Sequence, residues 1–356
     1  MADRLIITLA QLNQQVGDLA ANSASVRRVR AQARDSDLIV FPEMHLVGYP
    51  PEDLIQKPAL IARAAQELEK LAAETADGGP ALLVGSVLVR DGALHNGVAL
   101  LEGGRIAAVR FKYELPNYGT FDEKRYFLPG PLPEPVLFKG AMLGLPICED
   151  IWHPDVCRHL AQLGAEIFIC VNGSPYEIDK DVLRIDGVAK RRAIDTGIPL
   201  VYLNRVGGQD EVVFDGASFV VGPEGAVWIQ APDWEKAIIR TEWNRVPVGN
   251  GHRWRCSPGE VHELAEHPED IYCAMVLALR GGRSHRTDRT SRRHLLRDGA
   301  GPARLCEQEP LSRRRARPVG RNRFGDHRRD RGRCPGRRPG VVRDVAQPLY
   351  QPGEPG

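Results

Sequence analysis

Three ionisable residues of complementary chemistry each stand just behind an apolar run in this 356-residue chain. IVFPEMHLVGYPPEDL carries Glu43, RFKYELPNYGTFDEKRYF carries Lys112, and GLPICEDIW carries Cys148. A thiol attacks as its thiolate, and the acids Glu149 and Asp150 directly behind Cys148 oppose that charge. Chemistry at Cys148 therefore calls for a base to take its proton and a cation to offset the charge left behind. Glu43 meets the first need and Lys112 the second. Strand ends are where a rigid sheet presents side chains to one pocket, so the three are read as base, cation and nucleophile of one site. A solitary Cys in an apolar strand more often packs as a small hydrophobe, and Cys157, Cys170, Cys256 and Cys273 are read that way.

The elements that must hold these residues follow from periodicity. Short β-branched and Leu-rich runs at 5–10, 37–41, 81–86, 96–111, 136–148, 166–171, 199–203 and 214–230 predict strands. Segments of helical period at 23–34, 58–76, 153–164 and 180–196 lie between them. Strands alternating with helices, with hairpins at GG and PEG, predict a layered α/β domain whose helices cover the sheet faces.

The motifs around the three residues carry a resemblance. Glu43, Lys112 and Cys148 look like the Glu, Lys, Cys triad of the nitrilase or carbon–nitrogen hydrolase superfamily. FPEMHLVGYPPEDL, KYELPNYGTFDEKRYF, ICEDIW, NGSPY and VGGQDEVVFDGAS resemble, in order, the glutaminase domain of bacterial glutamine-dependent NAD synthetases, over about residues 1–280. The resemblance implies a four-layer αββα sandwich that hydrolyses the glutamine side-chain amide to glutamate and ammonia. It implies that Tyr49, Tyr118, Glu149 and Ser174 shape the glutamine pocket; Glu123, in FDEKRYF, is a candidate for a second carboxylate orienting Lys112. It implies assembly into homo-oligomers. The glutaminase reaction needs no cofactor or metal; ATP and Mg would serve only the synthetase domain that follows in this family. A stand-alone amidase for another small amide is the alternative within the same chemistry.

The formal charge of +2 hides two unlike halves. Residues 281–356 hold 20 Arg, no Lys and 8 acids, a net +12, which leaves 28 basic and 38 acidic residues, a net −10, for residues 1–280. The tail has no periodicity and too few large apolar residues for a core, and is expected to be disordered. Its arginines invite a nucleic-acid reading, but a slip of reading frame in a GC-rich gene fits better. Codons allowed for HLLRDGAGPARLCE (294–307) read one nucleotide later as IYCAMVLALRDYV, whose first ten letters already stand at 271–280. Further on, codons allowed for the tail yield SGGIDS, which resembles the pyrophosphate-binding loop of the synthetase domain. The expected organisation is a carbon–nitrogen hydrolase domain over 1–250, a linker over 251–280 toward a missing synthetase domain, and an out-of-frame tail over 281–356. Seven cysteines without a CxxC pair, no cleavable leader and no run near the roughly 18 apolar residues of a span predict a soluble cytoplasmic protein.

Overall fold

The structure, a computed structural model, describes residues 3–249 and 251–263. Two sheets form its centre. The first runs in the order β15 (Gly251–Glu263), β14 (Ala237–Val248), β1 (Arg4–Gln11), β2 (Leu38–Val40), β3 (Ala81–Arg90), β4 (Ala93–Glu102), β5 (Arg105–Phe111). β1, β2 and β3 are mutually parallel, and the hairpin strands outside them are antiparallel. The second runs β13 (Val227–Gln230), β12 (Phe219–Val221), β9 (Leu200–Asn204), β8 (Ile167–Asn172), β7 (Ala141–Gly144), β6 (Val136–Phe138), with β7, β8 and β9 parallel. A separate hairpin pairs β10 (Val206–Gln209) with β11 (Val212–Asp215).

Period-two alternation decides which face each residue joins. Leu5, Ile7 and Leu9 of β1, Leu38 and Val40 of β2, and Leu83 of β3 meet Ile167, Ile169, Val171, Val201 and Leu203 of β8 and β9 in one buried layer between the sheets. Each such Leu or Ile contributes about 1.5–3 kcal/mol through removal from water. The opposite faces take helices. α1 (Leu19–Gln32) and α2 (Pro58–Glu74) set Val26, Val29, Leu68 and Leu71 against Ile39, Leu82, Val84 and Ala99. α3 (Pro154–Gln162) sets Val156 and Leu160 against Phe168, Cys170 and Leu200, beside a helix that is α over Lys180–Val182, π over Leu183–Ala189 and α again over Lys190–Thr196. The layers are therefore α, β, β, α, as the resemblance implies. Helix starts follow local chemistry: the Asp18 carboxylate accepts from Ala21 N–H at 2.9 Å, and Pro58 and Pro154 occupy first-turn positions where no N–H partner is needed.

One boundary differs from the sequence reading. The first half of the expected linker, 251–263, is the edge strand β15, paired along its length with β14. Trp254 and Cys256 alternate with exposed Arg253 and Arg255, and both join the layer between the sheets. β14 itself, AIIRTEWNRVPV, was not among the expected strands, because charged residues break up its apolar face. The remaining linker, the tail and Cys273 lie outside the described residues. Among the described residues, no helix is long and apolar enough to cross a membrane.

Candidate active site

Glu43, Lys112 and Cys148 all lie just past strands: β2 at the middle of the first sheet, β5 at its edge, and β7 next to the edge of the second. Glu43 follows β2, and its turn sits directly on Gly85 of β3. A Cβ there would lie 2.5 Å from the Met44 nitrogen and the Pro42 oxygen, so only glycine admits the turn. Lys112 follows β5 and is held by its own N–H to the Asn96 carbonyl on β4, 2.8 Å away. Cys148 follows β7 across a short bridge between Ile147 and Val171, and takes φ +47°, a left-handed backbone that side chains seldom adopt. All three side chains are buried.

The Glu43 carboxylate is held by three donors. Oε1 accepts from Lys112 Nζ at 2.8 Å and from Asn96 Nδ2 at 2.7 Å, and Oε2 accepts from Gly173 N–H at 2.7 Å. Lys112 Nζ donates also to Glu123 Oε1 at 2.8 Å, and Tyr49 OH donates to that same oxygen at 2.9 Å. Burial disfavours the Lys112 ammonium, but Glu123 and Glu43 outweigh it and hold the lysine well above its ordinary value. Burial likewise raises Glu123, with Lys112 opposing. Burial and then the Glu43 charge push the Cys148 thiol well up, and Lys112 only partly offsets them. At rest a neutral thiol stands beside the Lys112 ammonium and the hydrogen-bonded Glu43 side chain. Such a carboxylate takes the sulfur's proton as the sulfur attacks, and the ammonium faces the charge that develops.

The other expected residues fall into two pairs and one network. Tyr118, half exposed, donates its hydroxyl to both oxygens of Glu149, at 3.0 and 2.9 Å, and burial raises the Glu149 carboxyl. Tyr49 is paired with Glu123, so its hydroxyl orients the second carboxylate. Ser174 follows Gly173; its Oγ accepts from Arg184 Nε at 3.1 Å, and its backbone pairs with Asn204. Arg184 in turn pairs with buried Asp215, its Nη1 donating to both carboxylate oxygens at 2.7 and 2.8 Å. Glu123 also lines a cavity of about 120 Å³ with Tyr49, Phe121 and Tyr126. Cys157, Cys170 and Cys256 are buried, and burial pushes their thiols up, as expected of packing residues.

Several residues of the site were not singled out from the sequence. Asn96 carries no signal of its own, standing mid-strand in HNGVALL. Asp150 accepts from Tyr113 N–H (3.0 Å), Glu114 N–H (2.8 Å) and Ile147 N–H (2.8 Å), tying the chain after Lys112 to the chain before Cys148. The ICEDIW motif contains it, but only the fold shows what it accepts. Gly173 could have been noticed: a Cβ there would lie 2.7 Å from the Tyr49 ring and 3.2 Å from Glu43 Oε2.

With this geometry in place, known proteins bear on it. Residues 6–253 match the family model described as carbon-nitrogen hydrolase. The glutamine-dependent NAD(+) synthetase of Rhodobacter capsulatus is 43% identical over 281 residues, covering 78% of this chain and 50% of that protein. The solved glutamine-dependent NAD+ synthetase of Acinetobacter baumannii, in complex with ADP, superposes with TM-score 0.67 at 33% identity, over 78% of this chain and 51% of that one. An amidase from Nesterenkonia sp. AN1, in a form carrying acrylamide at its active-site cysteine, superposes with TM-score 0.56 at 26% identity, over 64% of this chain and 89% of that one. The chain spans about half the length of the synthetases it matches.

Proposed function

The chain belongs to the carbon–nitrogen hydrolase family, and from that premise we propose that it hydrolyses the side-chain amide of glutamine to glutamate and ammonia through a thioester on Cys148. The observation that carries this reading is the Glu43 side chain, held by Lys112, Asn96 and Gly173 N–H beside a neutral Cys148 thiol.

Glu43 takes the thiol proton while sulfur bonds to the amide carbon, and the carbonyl pair moves onto oxygen. Lys112 and the backbone N–H of Glu149 stabilise that oxyanion. The oxyanion collapses, the C–N bond breaks, and protonated Glu43 gives its proton to the departing nitrogen, which leaves as ammonia. Water then loses a proton to Glu43 and attacks the thioester; the C–S bond breaks and the sulfur recovers its proton from Glu43. One carboxylate acts as base, acid, base and acid in turn, and its three fixed donors keep it in place throughout.

Glutamine is favoured over other amides by the Glu149 carboxylate, held open by Tyr118 at the partly exposed side of the site, where it can pair with a substrate ammonium. Ser174 is assigned to the substrate's polar end. Ammonia supply to NAD formation is the corresponding whole-protein role, supported by the synthetase relatives. We also propose that residues 281–356 are read out of frame, on the repeat of IYCAMVLALR; the gene sequence across that segment decides it. The test of function is glutamate release from glutamine compared with a panel of ω-amides of equal length lacking the α-ammonium. Preference for glutamine, lost on Glu149→Gln, is expected. Equal turnover of the panel would favour the second reading, a small-amide amidase, to which the Nesterenkonia likeness gives support.

A further inference from the structure

Arg205 is fully buried, and it has no carboxylate within ion-pairing distance among the described residues. Its Nη1 donates to the Tyr49 carbonyl, its Nη2 to the Gln14 carbonyl at 2.8 Å and to Asn13 Oδ1 at 3.3 Å, and its Nε has no partner. The guanidinium lies 4.2 Å from the centre of the Phe214 ring. A buried cation answered only by neutral acceptors and a ring is costly unless some charge nearby benefits from it. The neighbouring charges are those of the site. Glu43 and Glu123 bring two acidic side chains to the single Lys112 ammonium, so the buried cluster holds one cation for two acids. Arg205 grips the two loops behind that cluster. Tyr49, whose carbonyl it holds, hands its hydroxyl to Glu123, and Gln14, whose carbonyl it also holds, donates from Nε2 to the Glu43 carbonyl at 3.4 Å.

We propose that Arg205 is a positioning residue that supplies the second positive charge of the buried cluster and ties the Tyr49 and Gln14 backbones to it, holding Glu43 where it accepts the Cys148 proton. The ionisable groups that feel it are Glu43, Tyr49 and His45, whereas Asn13, Gln14 and Phe214, from the other elements packed on it, are neutral. Burial lowers the guanidinium to about 9, which leaves it charged through neutral pH, and Glu43 is among the groups that hold it up. His45 is neutral there, since burial and then Arg205 press it down to about 3.

The proposal rests on Glu43 being the base of Cys148, and its test reads that pair without reference to any substrate. The rate of Cys148 alkylation by iodoacetamide, followed against pH by mass spectrometry, falls on the acid side as Glu43 protonates. Arg205→Lys keeps the charge and loses the fork; Arg205→Gln keeps a donor and loses the charge; Arg205→Met loses both. The acid limb should stay in place for Lys and move up by about one pH unit for Gln and Met, a loss of about tenfold in rate at a fixed pH on that limb. A limb that follows the donor, with Gln like the unaltered protein and Lys shifted, overturns the proposal. So does a limb that moves in none of the three. Should the neutral variants not fold, Arg205→Lys is paired with Phe214→Leu, which leaves the charge in place: an acid limb shifted in Arg205→Lys overturns the proposal, and an acid limb unmoved in both is the expected result. Failure of the base reading is separate, because Cys148 in the unaltered protein would then show no acid limb.

Discussion

A thiol pushed up by burial and by an adjacent carboxylate is a poor nucleophile until its proton has somewhere to go, and the contacts of Glu43 provide that place. Cys148→Ala is expected to abolish glutamate release with the fold intact, measured by coupled glutamate detection and circular dichroism. Glu43→Gln and Lys112→Ala should each lose several orders of magnitude in kcat/KM, and combining either with Cys148→Ala should add little, since the three act as a unit. Asn96 allows a finer test. Its hydrogen bond to a charged carboxylate is worth about 1.5–3 kcal/mol, so Asn96→Ala should lower kcat/KM by about 10- to 100-fold. An unchanged kcat/KM for that variant would mean Lys112 and Gly173 hold Glu43 without help.

At the scale of elements, the site depends on loops from different strands keeping their spacing. Asp150 is the clearest link, with one carboxylate accepting three backbone N–H groups from the segments after β5 and before Cys148. Burial lifts it to about 7 against those three donors. Asp150→Asn keeps the shape but turns an NH₂ toward one of them, so a cost of about 1–3 kcal/mol in denaturant unfolding is expected. The sign of its pH dependence follows from linkage. The native carboxyl holds its proton up to about pH 7, and the unfolded one loses it near 4. Stability of the unaltered protein therefore falls as pH rises from about 4 to about 7, whereas the amide variant has no proton to lose at this position. The cost of Asp150→Asn should shrink across that window. A cost that grows over it would show that the native carboxyl is ionised well below 7. Gly85→Ala belongs to this scale too: its methyl would press on the backbone of the Glu43 turn, and activity should fall further than stability.

For the molecule as a whole, burial in the layers sets its tolerance of acid. His45 is wholly buried under α1, its ring tilted 49° to that of Phe41 with centroids 4.9 Å apart, and Nε2 3.1 Å from Ser25 Oγ. Burial holds it down to about 3, whereas an unfolded histidine titrates near 6.5. Its contribution is complete above about pH 6.5 and is lost as pH falls from there to about 3, a change on the order of 5 kcal/mol. Urea unfolding at pH 7 and pH 5 should show part of this drop, and His45→Gln should reduce the difference between the two. Equal differences for both proteins would place the acid sensitivity elsewhere.

The sequence alone determined the layered α/β class and pointed to the three residues that the structure brings together, because burial on both faces of the central strands writes long apolar runs and because Glu43, Lys112 and Cys148 each follow one. It also marked Glu123 and the Tyr118 and Glu149 segments through their motifs. The tertiary structure alone decided the partners. Asn96 on β4 and Gly173 past β8 reach Glu43 from 53 and 130 residues away, and Arg205 past β9 reaches the Tyr49 carbonyl from 156. No local periodicity encodes a contact at such separations. Strand β14 and the edge strand β15 were hidden for a related reason. The charged residues of β14 are satisfied by ion pairs such as Arg4 with Glu242 at 2.8 Å, which form only once the strands lie side by side.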